Sequence, residues 1–434
     1  MQHITYRQLM KTKKIIIASA AAMLTTMSAC DMIPHKPTPE EIEQMRQDSI
    51  RDARIAEAKG QLQACQSPLA MPKGDTTYLD PFFAQLDSAK KQPVRIMYYG
   101  DSQLEGDRMT CVLREQLQKR FGGKGPGMLP ARLPGGTYTC TLMASPQLPE
   151  YRNFGGGAVR TPDNGYGPRC EMWRAEGSAT LTYVCQKNDK YGHAATFRKV
   201  TVVAKGTGTI TANGTALQTE TKNEGLNFYT ATLAEDATQA TIAIQGSMDI
   251  YGVMLDGTSG VSVDNVAQRG SSGISFTQVA EPTIRPYYDH ANVGLIILQF
   301  GVNAIPTMTS DKQVESFVGQ LQPQVAFFKQ MVPQAKVLFI GPADMGRRTS
   351  PTLSHPMMGA VSKALKQMCL KEGVAYWDMF AAMGGEGAMS RWAQEKPSLA
   401  SPDLIHFSHQ GAEKIATMFT ESLMLYYDYY DARK

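Results

Sequence analysis

The sequence lacks the motifs that usually hold a metal ion or a redox cofactor. It contains no His-Glu-x-x-His motif, no Cys-x-x-Cys pair and no histidine-rich tract. Its formal net charge is only +4 on 434 residues, and it has no basic patch interleaved with aromatic residues of the kind that binds nucleic acid. We therefore predict no metal, no other cofactor and no nucleic-acid partner.

Long hydrophobic runs are also scarce, and the clearest one lies near the N-terminus. Residues 15–29 are apolar or small and follow the basic segment Met10-Lys-Thr-Lys-Lys. This run is too short for a comfortable membrane span but fits a secretory signal. Met27-Ser28-Ala29-Cys30 resembles a bacterial lipobox, so residues 1–30 are predicted to be a lipoprotein signal peptide with lipidation at Cys30. A plain signal peptide cut at an alanine and a retained anchor are the alternatives.

The lipobox predicts a cell-envelope protein, periplasmic or at the outer membrane, that is attached to the membrane through its N-terminal lipid. Residues 31–75 follow Cys30 and contain a proline-rich start, then a charged, helix-favouring run from Glu40 to Gln63. Few positions in that run are apolar, so we expect it to be a solvated tether or helical stalk.

Six cysteines follow Cys30, and three of them, Cys140, Cys170 and Cys185, lie in one region. These three are the candidates for disulfide pairing in an oxidising compartment, although sequence spacing leaves the partners open. Cys111 and Cys369 fall in predicted helices and are equally well explained as reduced, buried thiols.

Two distant segments indicate a hydrolytic triad. The string YYGDSQLEGD contains Ser102, and the string DLIHF contains Asp403 and His406. A serine hydroxyl is a poor nucleophile at neutral pH unless an imidazole takes its proton and a carboxylate orients that imidazole. Gly-Asp-Ser is also an ordinary strand-end turn with a helix cap. His409 is a rival base, but its surroundings are more typical of a helix start.

The position of Ser102 favours the catalytic interpretation. An apolar strand, Val94–Tyr99, is predicted before it and a helix, Leu104–Phe121, after it. Backbone N–H groups at the start of a helix can face a developing oxyanion. Two further segments lie between the Ser102 and His406 motifs. In one, Gly270 follows Asn265 by five residues. In the other, an apolar strand ends at Gly301-Val302-Asn303.

These four segments resemble, in order, the four sequence blocks of the SGNH, or GDSL-like, hydrolase family. The resemblance implies that Ser102 is the nucleophile, His406 the base and Asp403 the residue that orients the base. It also implies that the N–H groups of Ser102 and Gly270 and the side-chain amide of Asn303 form the oxyanion hole. Two positions depart from the family pattern: Ala304 replaces an Asp and Gln103 replaces the commoner Leu.

The resemblance implies that one strand-helix unit separates the first two blocks in a compact family member, and the spacing from Ser102 to Gly270 is far longer, which predicts an inserted domain. Short alternating segments separated by turns such as Asn213-Gly214 predict an all-β sandwich, jelly-roll-like, over residues 132–252. An insert at this place resembles the carbohydrate-binding-like module of bacterial peptidoglycan O-acetylesterases. Five of its aromatics are candidates for stacking on sugars, although packing explains them better: Tyr138, Tyr151, Phe154, Tyr166 and Trp173.

Residues 76–131 and 253–434 then remain for the hydrolase domain. Five apolar strands alternate with helices there, which predicts a three-layer α/β/α core with a parallel sheet. The predicted strands are Val94–Tyr99, Val261–Asp264, Val293–Phe300, Lys336–Gly341 and Val374–Asp378. The predicted helices after the second SGNH block are Lys312–Met331, Ser354–Glu372 and His409–Tyr430.

The expected activity is that of a serine esterase which removes acetyl or another short acyl group from a carbohydrate, with cell-wall peptidoglycan as the first choice. The expected partner is therefore an acylated glycan. An O-acyltransferase that acts on a cell-wall or other polysaccharide is the nearest alternative, because a sugar hydroxyl can resolve the same acyl-enzyme. A non-catalytic glycan-binding lipoprotein is the alternative from another class.

Overall fold

A computed structural model describes residues 37–220, 225–347 and 350–434. The predicted signal peptide and Cys30 lie outside these ranges. The chain divides into two compact units, Met1–Ala53 and Arg54–Lys434. Within the described ranges, no helix combines the length and the apolar character needed to cross a bilayer.

The described residues contain nine α-helices and sixteen β-strands. The helices are α1 Pro39–Ala64, α2 Asp80–Ser88, α3 Thr110–Phe121, α4 Arg285–His290, α5 Asp311–Met331, α6 Met358–Lys371, α7 Met379–Ala382, α8 Ala388–Gln394 and α9 His409–Ala432. The strands are β1 Val94–Gly100, β2 Gly127–Leu129, β3 Cys140–Ser145, β4 Glu150–Arg152, β5 Glu171–Cys185, β6 Phe197–Ala212, β7 Thr215–Ala216, β8 Gln218–Thr219, β9 Asn227–Ala237, β10 Gln239–Asp256, β11 Val261–Ala267, β12 Val293–Gln299, β13 Lys336–Ile340, β14 Gly346–Arg347, β15 Ser350–Ser354 and β16 Ala375–Trp377.

The parallel sheet has the strand order β11-β1-β12-β13-β16, and its five strands are the five that the sequence predicted. Successive residues of β1 point to opposite faces. Ile96 and Tyr98 pack with α2, α3 and α9, while Met97 and Tyr99 pack with α5 and α6. Helices therefore cover both faces of the sheet, as its continuous apolar strands require, and the predicted three-layer α/β/α core is confirmed.

Nine antiparallel strands between the first and second SGNH blocks form a separate sheet. Its main path is β3-β5-β10-β6-β9-β8, with β2, β4 and β7 added at its sides. The turn Asn213-Gly214 has positive φ at both residues, as expected for a tight hairpin between β6 and β7. The predicted all-β insert is thus present. By hydrogen bonding the sheet spans residues 127–256, because β2 pairs with the end of β10.

A buried charged network joins the two sheets. Arg95 on β1 binds Asp264 on β11 at 2.5 Å and also binds Asp256 at the end of β10. The carboxylate of Asp264 in addition accepts the N–H of Met128 in β2, at 2.8 Å. A buried ion pair of this kind is costly to break from one side, because the remaining charge loses its partner. The network therefore holds the antiparallel sheet in a defined position beside β1 and β11.

Two predicted helices differ from the structure. The span Leu104–Phe121 is not one helix, because Gly106 and Asp107 have positive φ and separate a 3-10 turn, Ser102–Asp107, from α3. Ser354 ends strand β15, and α6 begins only at Met358. Pro356 accounts for the late start, because the residue before a proline is disfavoured in the α region. The stalk prediction Glu40–Gln63 corresponds to α1, which is almost wholly exposed.

Candidate active site

Ser102 follows β1, which lies between β11 and β12 in the parallel sheet. Gly100 ends β1 in close contact with its neighbours, where an added Cβ would lie 2.7 Å from Leu104 Cδ1 and 3.1 Å from the Gln299 carbonyl oxygen. Asp101 then caps the 3-10 turn by accepting the N–H of Gln103 at 2.9 Å. A larger residue at position 100 would crowd Leu104 and the Gln299 carbonyl, so the end of β1 packs closely where the chain turns into Ser102.

The structure brings Ser102, His406 and Asp403 together. Ser102 Oγ lies 2.8 Å from His406 Nε2, and His406 Nδ1 lies 2.6 Å from Asp403 Oδ2. These distances are those that a serine, its general base and the carboxylate that orients the base require. Ser102 itself is only 9% exposed, so its hydroxyl sits at the bottom of the site.

A tight turn allows the side chains of Asp403 and His406 to bond to each other although the two residues are only three apart in the sequence. Leu404 adopts a left-handed conformation, with φ 59°, between the two residues. The second carboxylate oxygen of Asp403 accepts the N–H groups of Ile405 at 2.9 Å and of His406 at 3.0 Å. Partial burial raises the pKa of Asp403, but these bonds and the bond from the His406 ring outweigh it and hold the pKa below its ordinary value. Asp403 is therefore a carboxylate at neutral pH.

The candidate oxyanion residues follow the two strands that flank β1. Gly100 is level with Ala267 on β11 and with Gln299 on β12. Gly270 and Asn303 therefore emerge at the same carboxyl edge as Ser102. The Asn303 amide donates to the Ser271 carbonyl at 2.9 Å, which ties it to the Gly270 loop. One hydrogen of that amide group is used in this bond, and the second is available to a ligand.

Position 270 favours glycine because of its backbone conformation, and not because a side chain there would clash. Its φ is 75°, a value that L side chains rarely adopt, whereas a Cβ at this position would meet nothing within 4 Å. A substitution would thus strain the loop whose N–H the family resemblance assigns to the oxyanion hole.

Gln103, a departure from the family pattern, binds the loop that carries the triad base. Its side-chain nitrogen donates to the Ile405 carbonyl at 2.6 Å, and its side-chain oxygen accepts the N–H of Phe407 at 3.4 Å. Both bonds flank His406, so this buried amide holds the His406 loop against the Ser102 turn. Sequence reasoning assigned Gln103 no role, and the signal available was a long polar residue at a buried turn.

Asn265 was matched to the second block without a role, and the structure shows what it contacts. Its amide donates to the Leu104 carbonyl at 2.8 Å and to the Thr110 hydroxyl at 2.7 Å. Asn265 thus ties β11 to both ends of the segment after Ser102.

Asp107 anchors the end of the Ser102 turn. Its carboxylate binds Arg114 on α3 at 2.7 Å and the hydroxyl of Thr139, which belongs to the insert, at 2.6 Å. Arg114 is itself 1% exposed and also donates to the Val263 carbonyl. The turn is therefore fixed both to the hydrolase sheet and to the inserted domain.

Asp101 is the buried titratable group next to the nucleophile. Burial raises the pKa of Asp101 to about 6, against the lowering effects of the Gln103 N–H and of the His406 charge. Asp101 is 1% exposed, and its carboxylate accepts the N–H of Gln103 in the Ser102 turn. A change in its protonation near pH 6 therefore changes the charge beside the nucleophile.

The rival base His409 and two further histidines, His193 and His355, have other partners. His409 starts α9 directly after its cap Ser408 and packs edge-on against Tyr138. His193 binds Glu115 at 2.7 Å, and His355 accepts the N–H of Met357. Across residues 37–220, 225–347 and 350–434, no three His, Cys, Asp or Glu side chains are grouped so as to hold a metal ion.

The aromatic candidates for sugar stacking are mostly part of the protein interior. Tyr166 and Trp173 are fully buried, and Phe154 is 5% exposed. Tyr151 is partly buried and packs against the Arg174 guanidinium. These residues therefore do not form an open aromatic platform.

The chain is similar to one known family and to solved structures of esterases. A model of the GDSL-like lipase/acylhydrolase family matches residues 210–414, a span that holds Gly270, Asn303, Asp403 and His406 but not Ser102. A solved structure of a peptidoglycan O-acetylesterase is 20% identical, with a TM-score of 0.67, over 82% of this chain and 98% of that one. A family two carbohydrate esterase from Clostridium thermocellum, solved with cellohexaose, is 9% identical, with a TM-score of 0.27, over 58% of this chain and 93% of that one.

No curated protein matches this sequence. The family model covers the last three blocks, and the structure adds the first by placing Ser102 against His406. Over residues 210–414 the chain is therefore similar to the GDSL-like lipase/acylhydrolase family.

Proposed function

We propose that this protein is an extracytoplasmic, lipid-anchored serine esterase that removes acetyl or another short acyl group from a glycan, with peptidoglycan as the first choice. The observation that carries the esterase assignment is the continuous contact Ser102–His406–Asp403 at the carboxyl edge of the parallel sheet. A hydroxyl, imidazole and carboxylate in this order form the machinery of acyl transfer.

Ser102 Oγ attacks the ester carbonyl while His406 Nε2 takes the hydroxyl proton. Asp403 accepts the hydrogen bond from His406 Nδ1 and stabilises the imidazolium that forms. The oxyanion is held by the N–H groups of Ser102 and Gly270 and by the second hydrogen of the Asn303 amide. His406 then gives the proton to the sugar oxygen that leaves, which departs as a hydroxyl, and water resolves the acyl-enzyme by the same steps.

The choice of substrate rests on two supports. One is the fold shared, over nearly the whole of that structure, with a protein described as a peptidoglycan O-acetylesterase. The other is the inserted domain, in which Thr139 donates to Asp107 at the end of the Ser102 turn, so that the insert lies beside the site that a polymer would enter.

The location rests on the sequence of the N-terminus. The basic segment, the apolar run and Met27-Ser28-Ala29-Cys30 together support export and attachment through lipid on Cys30. A lipid-anchored enzyme at the cell envelope would meet cell-wall glycan directly.

The test is release of acetate from O-acetylated peptidoglycan and from O-acetylated xylan, measured side by side, with Ser102→Ala as the control. We expect Ser102-dependent acetate release, faster on peptidoglycan. Faster release from xylan would change the proposed substrate, and transfer of acetyl to an added glycan hydroxyl in place of water would identify a transferase. Absence of turnover on every acyl ester tried would favour a glycan-binding protein without activity.

A further inference from the structure

A cavity of about 420 Å³ lies between the inserted sheet and the hydrolase sheet, next to the Ser102 turn. Glu105, three residues after Ser102, and Arg269, which precedes Gly270, line its hydrolase side. Arg132 and Arg152 line its insert side, together with Glu150. The volume is within the range of small-molecule sites, so the cavity can hold a sugar unit and its substituent.

Two arginines in the cavity wall each form an ion pair with one carboxylate. Arg114 binds Asp107 at 2.7 Å, and Arg169 binds Glu171 at 2.9 Å. All four side chains are nearly completely buried. Each of these arginines is matched by one carboxylate, so neither pair contributes an uncompensated charge to the cavity.

The remaining charged side chains leave one cation in excess. Arg269 pairs with Glu105 at 3.2 Å. Arg132 and Arg152 share the single carboxylate of Glu150, at 3.2 Å and 4.0 Å. Arg152 has the longer contact, and its guanidinium lies 5.5 Å from the centre of the Phe154 ring. Its side chain is 30% exposed, so its guanidinium is accessible from the cavity but partly shielded from water.

We propose that this cavity binds a carboxylate carried by the glycan substrate and that Arg152 is the residue that recognises it. A guanidinium presents a planar set of donors that matches a carboxylate bidentately, and the cavity offers one such group in excess of its own anions. The proposal rests on the proposed function, since it names a chemical feature of the same substrate. The acyl ester would lie at Ser102 while the carboxylate lies in the cavity.

The experiment compares Arg152→Gln with the wild type on three esters. These are O-acetylated peptidoglycan, the same material with its carboxyl groups reduced to alcohols, and 4-nitrophenyl acetate. We expect KM for the untreated glycan to rise about tenfold, in line with the loss of a charge-assisted hydrogen bond. The carboxyl-reduced glycan and the small ester should be unaffected. Arg152→Lys should recover part of the loss.

Arg198→Gln is the matched control, because this arginine lies on the same sheet, outside the cavity, and donates to the main-chain carbonyls of Leu233 and Ala234. Equal effects of Arg152→Gln on the untreated and the reduced glycan, or no effect on either, would overturn the proposal. Acetylated glycans with a ring carboxylate and with an ether-linked carboxylate, tested in parallel, distinguish the two sources of the anion.

Failure of the proposed function can be separated from failure of this inference. If no glycan ester is cleaved, calorimetric titration of the protein with the untreated and the carboxyl-reduced glycan still measures carboxylate recognition. Tighter binding of the untreated glycan that is lost in Arg152→Gln would support the cavity without an esterase, and equal binding of both would overturn it.

A second inference concerns Cys140 and Cys185, which face each other on neighbouring strands of the insert. The two residues are directly paired between β3 and β5, and the adjacent Gln186 N–H donates to Thr139. Cys140 therefore occupies a non-hydrogen-bonded position, where opposite Cα atoms are about 4.5 Å apart. That separation lies at the short end of the range that a disulfide spans. Both thiols are free in this structure and buried from solvent.

We infer that these two residues form a disulfide when the protein folds in an oxidising medium. The two thiols give up two protons and two electrons to a disulfide reagent such as glutathione disulfide, which becomes two glutathione thiols. Cys170 is not the partner of Cys185, because it directly precedes β5 while Cys185 ends that strand, so the whole length of the strand separates the two.

The test is refolding with a glutathione redox buffer, followed by peptide mass spectrometry under non-reducing conditions. We expect one linked peptide, Cys140–Cys185, and a Tm several degrees higher than that of the reduced protein. Cys111 and Cys369, which are buried singly in α3 and α6, should remain as thiols and serve as the control. Complete alkylation of Cys140 and Cys185 after such refolding would overturn the inference.

Discussion

The side-chain amide of Gln103 donates to the Ile405 carbonyl at 2.6 Å, across 302 residues of sequence. Ser102 directly precedes Gln103 and His406 directly follows Ile405, and both are members of the triad. The bond therefore couples the position of the base to that of the nucleophile, and a buried amide performs this positioning where the family more commonly has leucine.

Gln103→Leu should lower kcat on a small acetyl ester about tenfold with little change in KM, because the His406 loop loses the two bonds that the Gln103 amide makes to it. Gln118→Leu is the control, since Gln118 is also a buried amide that donates to main-chain carbonyls, but in α3. Both variants should lose stability, and only Gln103→Leu should lower kcat per folded molecule. A kcat equal to the wild type would contradict the positioning role.

Ser102→Ala should abolish ester cleavage by roughly four to six orders of magnitude and leave the fold intact. The measurement is hydrolysis of 4-nitrophenyl acetate together with a thermal unfolding curve. Retention of more than a few per cent of the activity would mean that another residue is the nucleophile.

Asn303→Ala should lower kcat roughly a hundredfold to a thousandfold on both a small ester and a glycan, because the amide acts where charge develops in the transition state. Asn292→Ala is the matched control. Asn292 precedes β12 at the opposite end of the strand and donates to the Pro93 carbonyl. If the two variants lost activity equally, Asn303 would have no special place in the oxyanion hole.

Asp101→Asn should stabilise the protein at pH 8 and have little effect at pH 4. The pKa of Asp101 is raised from its ordinary value of 3.8 to about 6. The fold thus favours the protonated form, and this stabilisation is complete below pH 3.8 and is lost as the pH rises through 6. The ionised carboxylate then costs roughly 3 kcal/mol. Asparagine keeps an acceptor for the Gln103 N–H without that cost.

The measurement is Tm against pH for the wild type and for the variant. Asp403→Asn is an informative comparison because the pKa of Asp403 is lowered, so its carboxylate stabilises the fold at neutral pH and that stabilisation is lost as the pH falls. We therefore expect Asp403→Asn to lower Tm at pH 8. If the Tm of the wild type and the Tm of Asp101→Asn changed in the same way between pH 4 and 7, the prediction for Asp101 would be contradicted.

Cys30→Ser should move the protein from the detergent phase to the aqueous phase in phase partitioning, because lipid on Cys30 is the proposed membrane attachment. The control is the wild type expressed with and without its N-terminal 30 residues. An unchanged detergent-phase partition of Cys30→Ser would show that the N-terminus anchors the protein in another way or not at all.

The parallel core and the β insert were predictable because their evidence is local. Each core strand, from Val94 to Trp377, is a short apolar run between turns, and the period of the pattern depends only on neighbouring residues. The insert followed from spacing, since more than one hundred residues of alternating, turn-rich sequence stand between Ser102 and Gly270. The break in the predicted helix at Gly106 and Asp107 was missed, because an isolated glycine is compatible with a helix and only the contacts of Asp107 with Arg114 and Thr139 favour the break.

The sequence by itself determined the order of strands and helices, the residue types of the triad and the family resemblance. Only the tertiary structure decided that Ser102 meets His406 at 2.8 Å, that Gln103 holds Ile405, and that Arg132 and Arg152 share Glu150. Parallel strands bring their carboxyl ends to one edge of the sheet through crossovers of variable length. Contacts made at that edge join residues hundreds of positions apart, so a local sequence pattern does not predict them.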